Sequence, residues 1–408
     1  MPIDGASASA VLQLHCLCRF IACFAGGVLD VLKLAVHATV RTITVPMAYE
    51  RDNIRALEPY TSGEQPDDAS VIKLNTNENP YPPSPAVLDV IVTVTGEQLR
   101  RYPSPAAASF RETAARVHSL SADNVIATNG GDELLRLAIT CFCEPSRQGG
   151  GIGITEPTYS LYKVLAAIHD TPVTRVALAD DFSLPDDLAA QWNTAGCRLG
   201  LVVNPHAPSG ALRSVEQLER IARVFDGVLL VDEAYVDFAA HDALPLLDAV
   251  VDLDNVILLR TLSKGYSLAG LRMGYGLAHA ALITTMDKAR DSYNTDVVAQ
   301  AAATAALCHR DEAENTWSVV IDERDRLTRA FSDLLFDVWP SQSNFLLVRP
   351  PSGSAAGLYQ SLKTCGILVR YFDQPGLEDK LRVTVGTADQ NDALLAAIQR
   401  IPGDSSRA

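Results

Sequence analysis

The sequence predicts an α/β protein whose large, mostly parallel β-sheet is covered by helices and is followed by a smaller α+β domain. Three observations support this class. Between residues 124 and 277, short apolar runs alternate with segments of helical length, which is typical of strands buried on both faces of a parallel sheet. After residue 280 the segments become longer and more charged. The length of 408 residues is sufficient for one large domain and a second, smaller one.

The first 46 residues differ in character from the rest of the chain. Residues 11–40 are apolar but are interrupted by Arg19, Asp30 and Lys33. The segment is therefore too broken for a transmembrane helix, and it lacks the basic start of a signal peptide. A loose amphipathic helix over residues 19–40 is compatible with it. We expect residues 1–46 to be an extension outside the fold and the natural start to lie near Met47.

Composition limits the partners and the compartment. The formal net charge of −15 disfavours nucleic acid and anionic membranes as partners. The eight cysteines have no disulfide-like spacing, so we expect reduced core thiols in a cytoplasmic protein. His15, Cys16, Cys18 and Cys23 form a cluster, but no second ligand group follows at zinc-site spacing, so no metal site is predicted.

Residues 47–83 are predicted to form an arm, and residues 84–292 the large domain. The arm contains a short helix at 52–57 and a strand at 71–74, and the prolines that follow exclude regular structure. The large-domain strands are predicted at 124–128, 151–155, 174–178, 199–203, 227–232, 256–260 and 272–277. The helices are predicted at 85–91, 106–118, 133–142, 158–167, 184–195, 214–225 and 281–290.

Residues 293–408 are predicted to form the small domain. Its helices are placed at 297–308, 312–336 and 389–400, and its strands at 344–349, 367–371 and 381–385. In sheets of this class, ligands collect at the carboxyl ends of the parallel strands. Asn204, Asp232 and the loop around Lys264 all follow predicted strands, so the site is expected there.

The stretch from residue 261 to residue 276, TLSKGYSLAGLRMGYG, carries the main hypothesis. Lys264 is predicted to form an imine with pyridoxal phosphate, while Ser263 and Arg272 hold the cofactor phosphate. A nucleophilic lysine must lose its proton, which favours a desolvated position next to other cations. A guanidinium matches phosphate geometry. Taken alone, a Ser-Lys pair favours the alternative, exposed residues in a strand-to-loop connection, because short motifs often occur by chance.

Polar residues at the other strand ends suit the same cofactor. Asp232 ends an apolar run and could pair with a pyridinium nitrogen, or it could cap the following turn. Tyr235 and Asn204 could donate to the ring phenolate oxygen; a core tyrosine and ordinary Asn-Pro turn chemistry are the alternatives. Tyr159 could stack on the ring, or it could be a core residue.

Two further groups favour anions. Gly131 and Asp132 open a helix whose free amides suit a phosphate, although a plain glycine turn capped by Asp132 explains them as well. Arg370 and Arg382 lie in predicted strands, where buried guanidiniums require anions. A substrate carboxylate or phosphate would serve, and so would an internal salt bridge. Motifs of P-loop proteins, zinc proteases and serine hydrolases are absent from the sequence.

The ordered set of motifs NENPY, RYP, GGDE, EPTY, NPHAPSG, VDEAY, TLSKGYSLAGLRMGY, SNF and LRVTVGT resembles the class I/II, fold type I pyridoxal-phosphate-dependent aminotransferases. The resemblance covers residues 48–400 and implies a seven-stranded type of sheet, a homodimer and a covalent cofactor. It implies these cofactor-binding residues: Lys264, Tyr102, Gly131, Asp132, Tyr159, Asn204, Asp232, Tyr235, Ser263 and Arg272. The substrate-binding residues that it implies are Tyr60, Asn344, Arg370 and Arg382.

Within these aminotransferases the chain looks most like the enzymes that act on histidinol phosphate. The resemblance thus implies that glutamate is the amino donor and that the phosphorylated acceptor is imidazole acetol phosphate. It also implies a place in histidine biosynthesis. His206 and Ser209 in NPHAPSG depart from the usual motif and leave the substrate open. The alternatives are an aromatic aminotransferase, a pyridoxal-phosphate-dependent decarboxylase of a phosphorylated amino acid, and a regulator without turnover. A regulator without turnover would carry a fused DNA-binding module, and residues 1–46 do not resemble one.

Overall fold

The computed structural model of the protein describes residues 49–145, 150–351 and 353–401. The chain divides into two compact units, Met1–Arg55 and Ala56–Ala408. In the first, helix α1 (Asp52–Arg55) is stabilised by ion pairs of Arg55 with Glu50 and Asp52. The predictions for residues 1–46, the helix at 19–40 and the cysteine cluster included, lie outside the described residues, as does the start near Met47.

The second unit contains the remaining elements. Its strands are β1 (Ile72–Lys73), β2 (Val125–Thr128), β3 (Ile152–Glu156), β4 (Val173–Ala177), β5 (Leu199–Val203), β6 (Val228–Asp232), β7 (Val256–Thr261), β8 (Gly274–Ala278), β9 (Asp337–Val338), β10 (Phe345–Arg349), β11 (Ile367–Leu368), β12 (Arg370–Tyr371) and β13 (Leu381–Thr384). Its helices are α2 (Pro85–Val92), α3 (Gly96–Leu99), α4 (Ala108–Val117), α5 (Gly130–Phe142), α6 (Leu161–Ile168), α7 (Leu188–Thr194), α8 (Val215–Val224), α9 (Ala280–Ala289), α10 (Val297–Cys308), α11 (Arg310–Asp333), α12 (Ala355–Thr364) and α13 (Ala388–Arg400).

The large sheet has seven strands in the order β2-β8-β7-β6-β5-β3-β4. Strand β8 runs antiparallel to both its neighbours, and the other neighbouring pairs are parallel. The register aligns the ends of three central strands, because Val203 lies opposite Asp232 and Asp232 lies opposite Leu259. The residues that follow these strands therefore gather at one edge of the sheet.

The core covers both faces of this sheet, as predicted. Along β6, Leu229 and Val231 pack into one apolar cluster, and Leu230, which points the other way, packs into a second. This alternation is the side-chain period of a strand. All three side chains are fully buried, so the mostly parallel sheet under two helical layers is confirmed.

A smaller antiparallel sheet has the order β12-β13-β10-β9, and β1 pairs in parallel with β11. The single strand predicted at 367–371 is thus two strands in two sheets. The strand predicted from residue 272 begins instead at Gly274, because Arg272 adopts a left-handed conformation with φ 56°. The predicted domain boundaries at residues 83 and 292 remain predictions.

Two other sequence-based expectations concern the surface. Within the described ranges, no helix has both the length and the hydropathy that crossing a bilayer requires. All five described cysteines are unpaired; Cys143 and Cys197 are buried, but Cys308 and Cys365 are exposed. The expectation of core thiols is therefore wrong for the last two, which lie at or directly after helix ends.

Candidate active site

Lys264 lies in the loop after β7, in a half-buried position. Its Nζ donates a 2.9 Å hydrogen bond to the carbonyl oxygen of Thr76 and lies 5.8 Å from the ring centroid of Tyr235. Burial, reinforced by the positive charge of Arg382, lowers the pKa of Lys264 to about 8. At that pKa roughly a tenth of the amine is neutral, and so nucleophilic, at pH 7, and about half is neutral at pH 8.

Asp232 ends β6 and is 5% exposed. Its Oδ2 accepts a 2.6 Å hydrogen bond from the hydroxyl of Tyr162, and its Oδ1 accepts one of 3.1 Å from the amide of Ala234. Burial raises the pKa of Asp232 to about 6, although the Tyr162 hydrogen bond opposes that change. No ion pair neutralises this carboxylate among the described residues, so the site suits a cationic ligand atom.

Tyr235 and Asn204 lie at the same edge of the sheet. The Tyr235 hydroxyl accepts a 3.1 Å hydrogen bond from Nδ2 of Asn77, and its own proton is free to be donated elsewhere. Asn204 is fully buried, and its Oδ1 accepts from the amide of Arg213 at 2.7 Å. Its Nδ2 makes only a long 3.4 Å contact with the Arg213 carbonyl oxygen, so the amide both shapes its turn and retains donor capacity.

The start of α5 is lined by groups that suit a phosphate. The backbone at Gly130 has φ +73°, and a Cβ there would lie 2.7 Å from Nη2 of Arg272. That nitrogen lies 3.4 Å from Oδ2 of Asp132, whose Oδ1 is 3.4 Å from the Tyr159 hydroxyl. Such long contacts leave the guanidinium available to an anion at the helix N-terminus.

Ser263 and Gly131 complete this cradle in different ways. Ser263 is buried, and its Oγ accepts a 2.9 Å hydrogen bond from Oγ1 of Thr261, which leaves its own proton for another acceptor. Gly131 packs against Leu259, where a Cβ would meet that side chain at 3.1 Å. The helix start is therefore held close to the end of β7.

Arg370 and Arg382 lie directly opposite each other on β12 and β13. Arg382 donates from Nη2 to the carbonyl oxygen of Asn75 at 3.0 Å, and its guanidinium lies 5.3 Å and 5.4 Å from the rings of Phe345 and Phe372. Burial lowers the pKa of Arg382.

Neither arginine forms a salt bridge with a carboxylate among the described residues, and Nε of Arg382 is buried without a hydrogen-bond partner. The alternative of an internal salt bridge is therefore wrong in the part of the chain that the structure describes. Two adjacent positive charges without a carboxylate partner favour the binding of an anion between them.

The remaining predicted residues occupy different positions. Asn344 is fully buried; its Nδ2 donates to the Asn77 carbonyl oxygen at 3.0 Å, and its Oδ1 has no hydrogen-bond partner in the described part of the chain. Tyr60 packs edge-on against Tyr159 at 6.0 Å. Tyr102 is 81% exposed and stacks on Tyr293 at 4.5 Å, so the structure brings it to the surface and not among the residues above.

Sequence reasoning missed two contributors. Tyr162, the donor to Asp232, lies on α6, where a tyrosine on an apolar helix face gives no sign of a polar partner 70 residues away. The segment 75–77 was expected to be irregular, yet its backbone and side chains contact Lys264, Arg382 and Tyr235. Its closely spaced asparagines were the available signal, because asparagine favours left-handed backbone such as the φ of 55° at residue 77.

Comparison with known proteins yields consistent matches. The profile of the family described as aminotransferase class I and II matches residues 69–398. A histidinol-phosphate aminotransferase of Trichormus variabilis is 43% identical over 352 residues, which cover 86% of this chain and 98% of the relative. One of Burkholderia pseudomallei is 42% identical over 362 residues, with 86% and 98% covered. The crystal structure of histidinol-phosphate aminotransferase from Sinorhizobium meliloti in complex with pyridoxal 5′-phosphate superposes with a TM-score of 0.78 at 27% identity, covering 87% of this chain and 97% of that one.

Proposed function

The chain belongs to the class I and II aminotransferase family, and we propose that it uses pyridoxal phosphate to exchange an amino group between glutamate and histidinol phosphate. The observation that carries the proposal is a buried carboxylate, Asp232, and two neighbouring arginines, Arg370 and Arg382, none of which forms an ion pair with another described residue. Asp232 suits a cationic ring nitrogen, and Arg370 and Arg382 suit a doubly anionic substrate. The names of the relatives at 42% and 43% identity support the same substrate.

The residues present fit this cofactor. Asp232 would pair with the ring nitrogen, Tyr235 and Asn204 would donate to the ring oxygen, and Tyr159 would flank the ring. The phosphate would be held by the following groups: the amides at Gly131 and Asp132, the Ser263 hydroxyl and the Arg272 guanidinium. When bound, pyridoxal phosphate supplies an aldehyde that takes up the amino group and a ring that withdraws electrons.

We propose that Lys264 is the residue that attaches the cofactor and transfers the proton. Its lowered pKa of about 8 allows Nζ to exist as a neutral amine and to accept or return a proton near neutral pH. The Thr76 carbonyl oxygen holds Nζ on one side. Asp232 has a pKa of about 6 in the cofactor-free protein; a cationic ring nitrogen beside it would lower that pKa and keep the carboxylate ionised at neutral pH.

Recognition of the substrate follows from the two guanidiniums. We propose that Arg382 binds the α-carboxylate and Arg370 the phosphate, with Tyr60 and Asn344 beside the substrate. The rings of Phe345 and Phe372 lie beside the Arg382 guanidinium, and an apolar surrounding strengthens its attraction for an anion. The free acceptor Oδ1 of Asn344 is available to a substrate N–H group.

A homodimer in the cytoplasm is part of the proposal. Val92, Leu99 and Tyr102 are 82%, 61% and 81% exposed, and apolar side chains exposed so close together in sequence suit a subunit interface. Tyr102 would then reach the neighbouring site. The unpaired state of the described cysteines suits a reducing compartment. Sedimentation of the purified protein as a monomer at micromolar concentration would contradict the dimer.

The chemistry is tested with Lys264→Ala, with Lys288→Ala as the control because Lys288 is exposed on α9. Lys264→Ala should lose transamination and covalent cofactor attachment, measured by absorbance and intact mass after borohydride reduction, while the control retains both. An active Lys264→Ala enzyme would refute the role of Lys264.

The substrate is tested by steady-state assays with glutamate as donor. Imidazole acetol phosphate should be preferred over phenylpyruvate. Arg370→Gln should lower kcat/KM for the phosphorylated substrate more than for phenylpyruvate. Preference for phenylpyruvate would indicate an aromatic aminotransferase. Release of carbon dioxide from a phosphorylated amino acid would indicate a decarboxylase.

A further inference from the structure

The carbonyl group of Gly265, the residue after Lys264, accepts two hydrogen bonds from distant parts of the chain. Nε1 of Trp317, on helix α11, donates at 2.7 Å, and Nδ2 of Asn79 donates at 3.1 Å. Trp317 is only 6% exposed. A buried carbonyl oxygen with two donors is fully satisfied and fixes the peptide plane that carries it.

The other side of this peptide is also packed. A Cβ on Gly265 would lie 2.2 Å from Oδ2 of Asp237, so the backbone approaches that side chain more closely than any other residue type allows. Tyr266 packs edge-on against the Trp317 ring, with centroids 5.3 Å apart and planes at 84°. The loop therefore has little freedom to rotate as long as the indole N–H remains in place.

The segment from residue 76 to residue 79 contacts both the Lys264 side chain and the peptide group that follows it. The Thr76 carbonyl oxygen accepts from Nζ, and Asn79, three residues later, donates to the Gly265 carbonyl oxygen. The head of the lysine and the peptide that follows it are thus fixed relative to one piece of chain. Trp317, which lies 52 residues after Gly265 in the sequence, adds the second donor from helix α11.

We propose that Trp317 is a positioning residue for Lys264, and that its indole N–H fixes the backbone from which the reactive amine projects. The proposal rests on the proposed function of Lys264. Removing the N–H leaves a buried carbonyl oxygen with one donor fewer, so the loop gains alternative conformations. A displacement of about 1 Å in a reacting group is enough to lower catalysis substantially.

The chain provides a matched control for this substitution. Trp192 is fully buried in the core, and its Nε1 has no hydrogen-bond partner within the ranges that the structure describes. Trp317→Phe and Trp192→Phe remove the same atoms from buried sites, but only the first removes a hydrogen bond. Trp192→Phe therefore controls for the general effect of replacing a buried indole with a smaller ring. Asn79→Ala, which leaves the packing of Tyr266 on Trp317 intact, isolates the loss of one donor to the Gly265 carbonyl oxygen.

The primary measurement is hydrogen–deuterium exchange of the full chain, with and without cofactor, in peptides covering residues 262–271. The amide of Leu268 bonds to the Leu262 carbonyl oxygen at 3.0 Å and reports the loop directly. Trp317→Phe should exchange about 5-fold faster in this segment, which is the net effect of one typical hydrogen bond, and Trp192→Phe should match the wild type there. Equal exchange in all three proteins, or equal acceleration in both variants, would overturn the proposal.

The second measurement is kinetic. In Trp317→Phe, kcat should fall about 5-fold or more with KM within about 2-fold, because substrate contacts are unchanged; Trp192→Phe should retain both values. If Trp317→Phe does not fold, Asn79→Ala removes the other donor to the same oxygen, together with the 3.0 Å acceptor of the Tyr81 amide, and it should accelerate exchange in the same peptides. No acceleration in Asn79→Ala would then refute the inference. The exchange measurement without cofactor does not depend on turnover, so failure of the proposed function is recognised separately, by an active Lys264→Ala enzyme.

Discussion

Asp232→Asn should stabilise the protein when the cofactor has been removed. The carboxylate is buried without a counter-ion among the described residues, and its pKa rises from 3.8 to about 6. Each pKa unit corresponds to about 1.4 kcal/mol, so ionised Asp232 costs the cofactor-free fold roughly 3 kcal/mol. Asparagine has a similar shape and no charge, but it supplies one acceptor for the two donors, Tyr162 and Ala234. That mismatch costs about 1 kcal/mol, which leaves a net gain of about 2 kcal/mol.

The sign of the pH dependence follows from the direction of the pKa change. Because the folded-state pKa lies above the unfolded value, the stability associated with protonated Asp232 is present below pH 3.8 and is lost as pH rises through about 6. The advantage of Asp232→Asn should therefore be greatest at pH 7–8 and should shrink by pH 5. With pyridoxal phosphate bound, the order should reverse, because only the carboxylate can pair with a positive ring nitrogen.

Urea unfolding of cofactor-free protein at pH 8 and at pH 5 measures the effect. Tyr162→Phe is the companion variant: it removes the hydrogen bond that stabilises the ionised form of Asp232, so it should destabilise the cofactor-free protein more at pH 8 than at pH 5. A cofactor-free Asp232→Asn protein no more stable than the wild type at pH 8 would show that the carboxylate is already compensated, and the reasoning about a site built for a cation would be wrong.

Two further predictions concern buried contacts close to the site. Glu233→Ala removes a 2.8 Å ion pair with Arg260 and leaves the buried guanidinium with its 3.0 Å pair to Asp242, so urea unfolding should show a loss of about 3 kcal/mol; an unchanged midpoint would mean that Asp242 alone compensates Arg260. Gly265→Ala places a Cβ 2.2 Å from the Asp237 carboxylate and should cost about 1–3 kcal/mol by thermal unfolding. Gly270→Ala, where a Cβ meets nothing within 4 Å, is its control and should stay within about 0.5 kcal/mol of the wild type.

The sequence was sufficient for the parts of the site that depend on local pattern. Asn204, Asp232 and Lys264 each follow an apolar run, and the ends of parallel strands meet at one edge of a sheet, so their proximity follows from the fold class. The strand positions of Arg370 and Arg382 were likewise predicted from apolar neighbours. Their direct opposition in β12 and β13 depends on strand register, which is set by pairing and was not available from either segment alone.

Contacts between distant segments could not be predicted. Tyr162 looks like a core residue until β6 is placed beside its helix, and Trp317 looks like part of an apolar helical stripe until the loop after β7 reaches it. Arg272 was assigned to a strand because its neighbours favour one, yet it adopts left-handed backbone just before β8. In each case the decisive partner lies far away in sequence, or the backbone departs from what local propensity favours.

The segment from residue 72 to residue 79 is held at its start by strand pairing and at its end by hydrogen bonds to the site, so its length is constrained. It begins as strand β1, paired with β11, and it then supplies the Thr76 carbonyl oxygen, the Asn77 amide group and the Asn79 side chain to three different parts of the site. Inserting or deleting one residue would shift every later group by about 3.5 Å, more than any of these bonds can stretch. In a scan of single-residue insertions and deletions, this run should therefore tolerate no change of length, even at positions where individual substitutions are accepted.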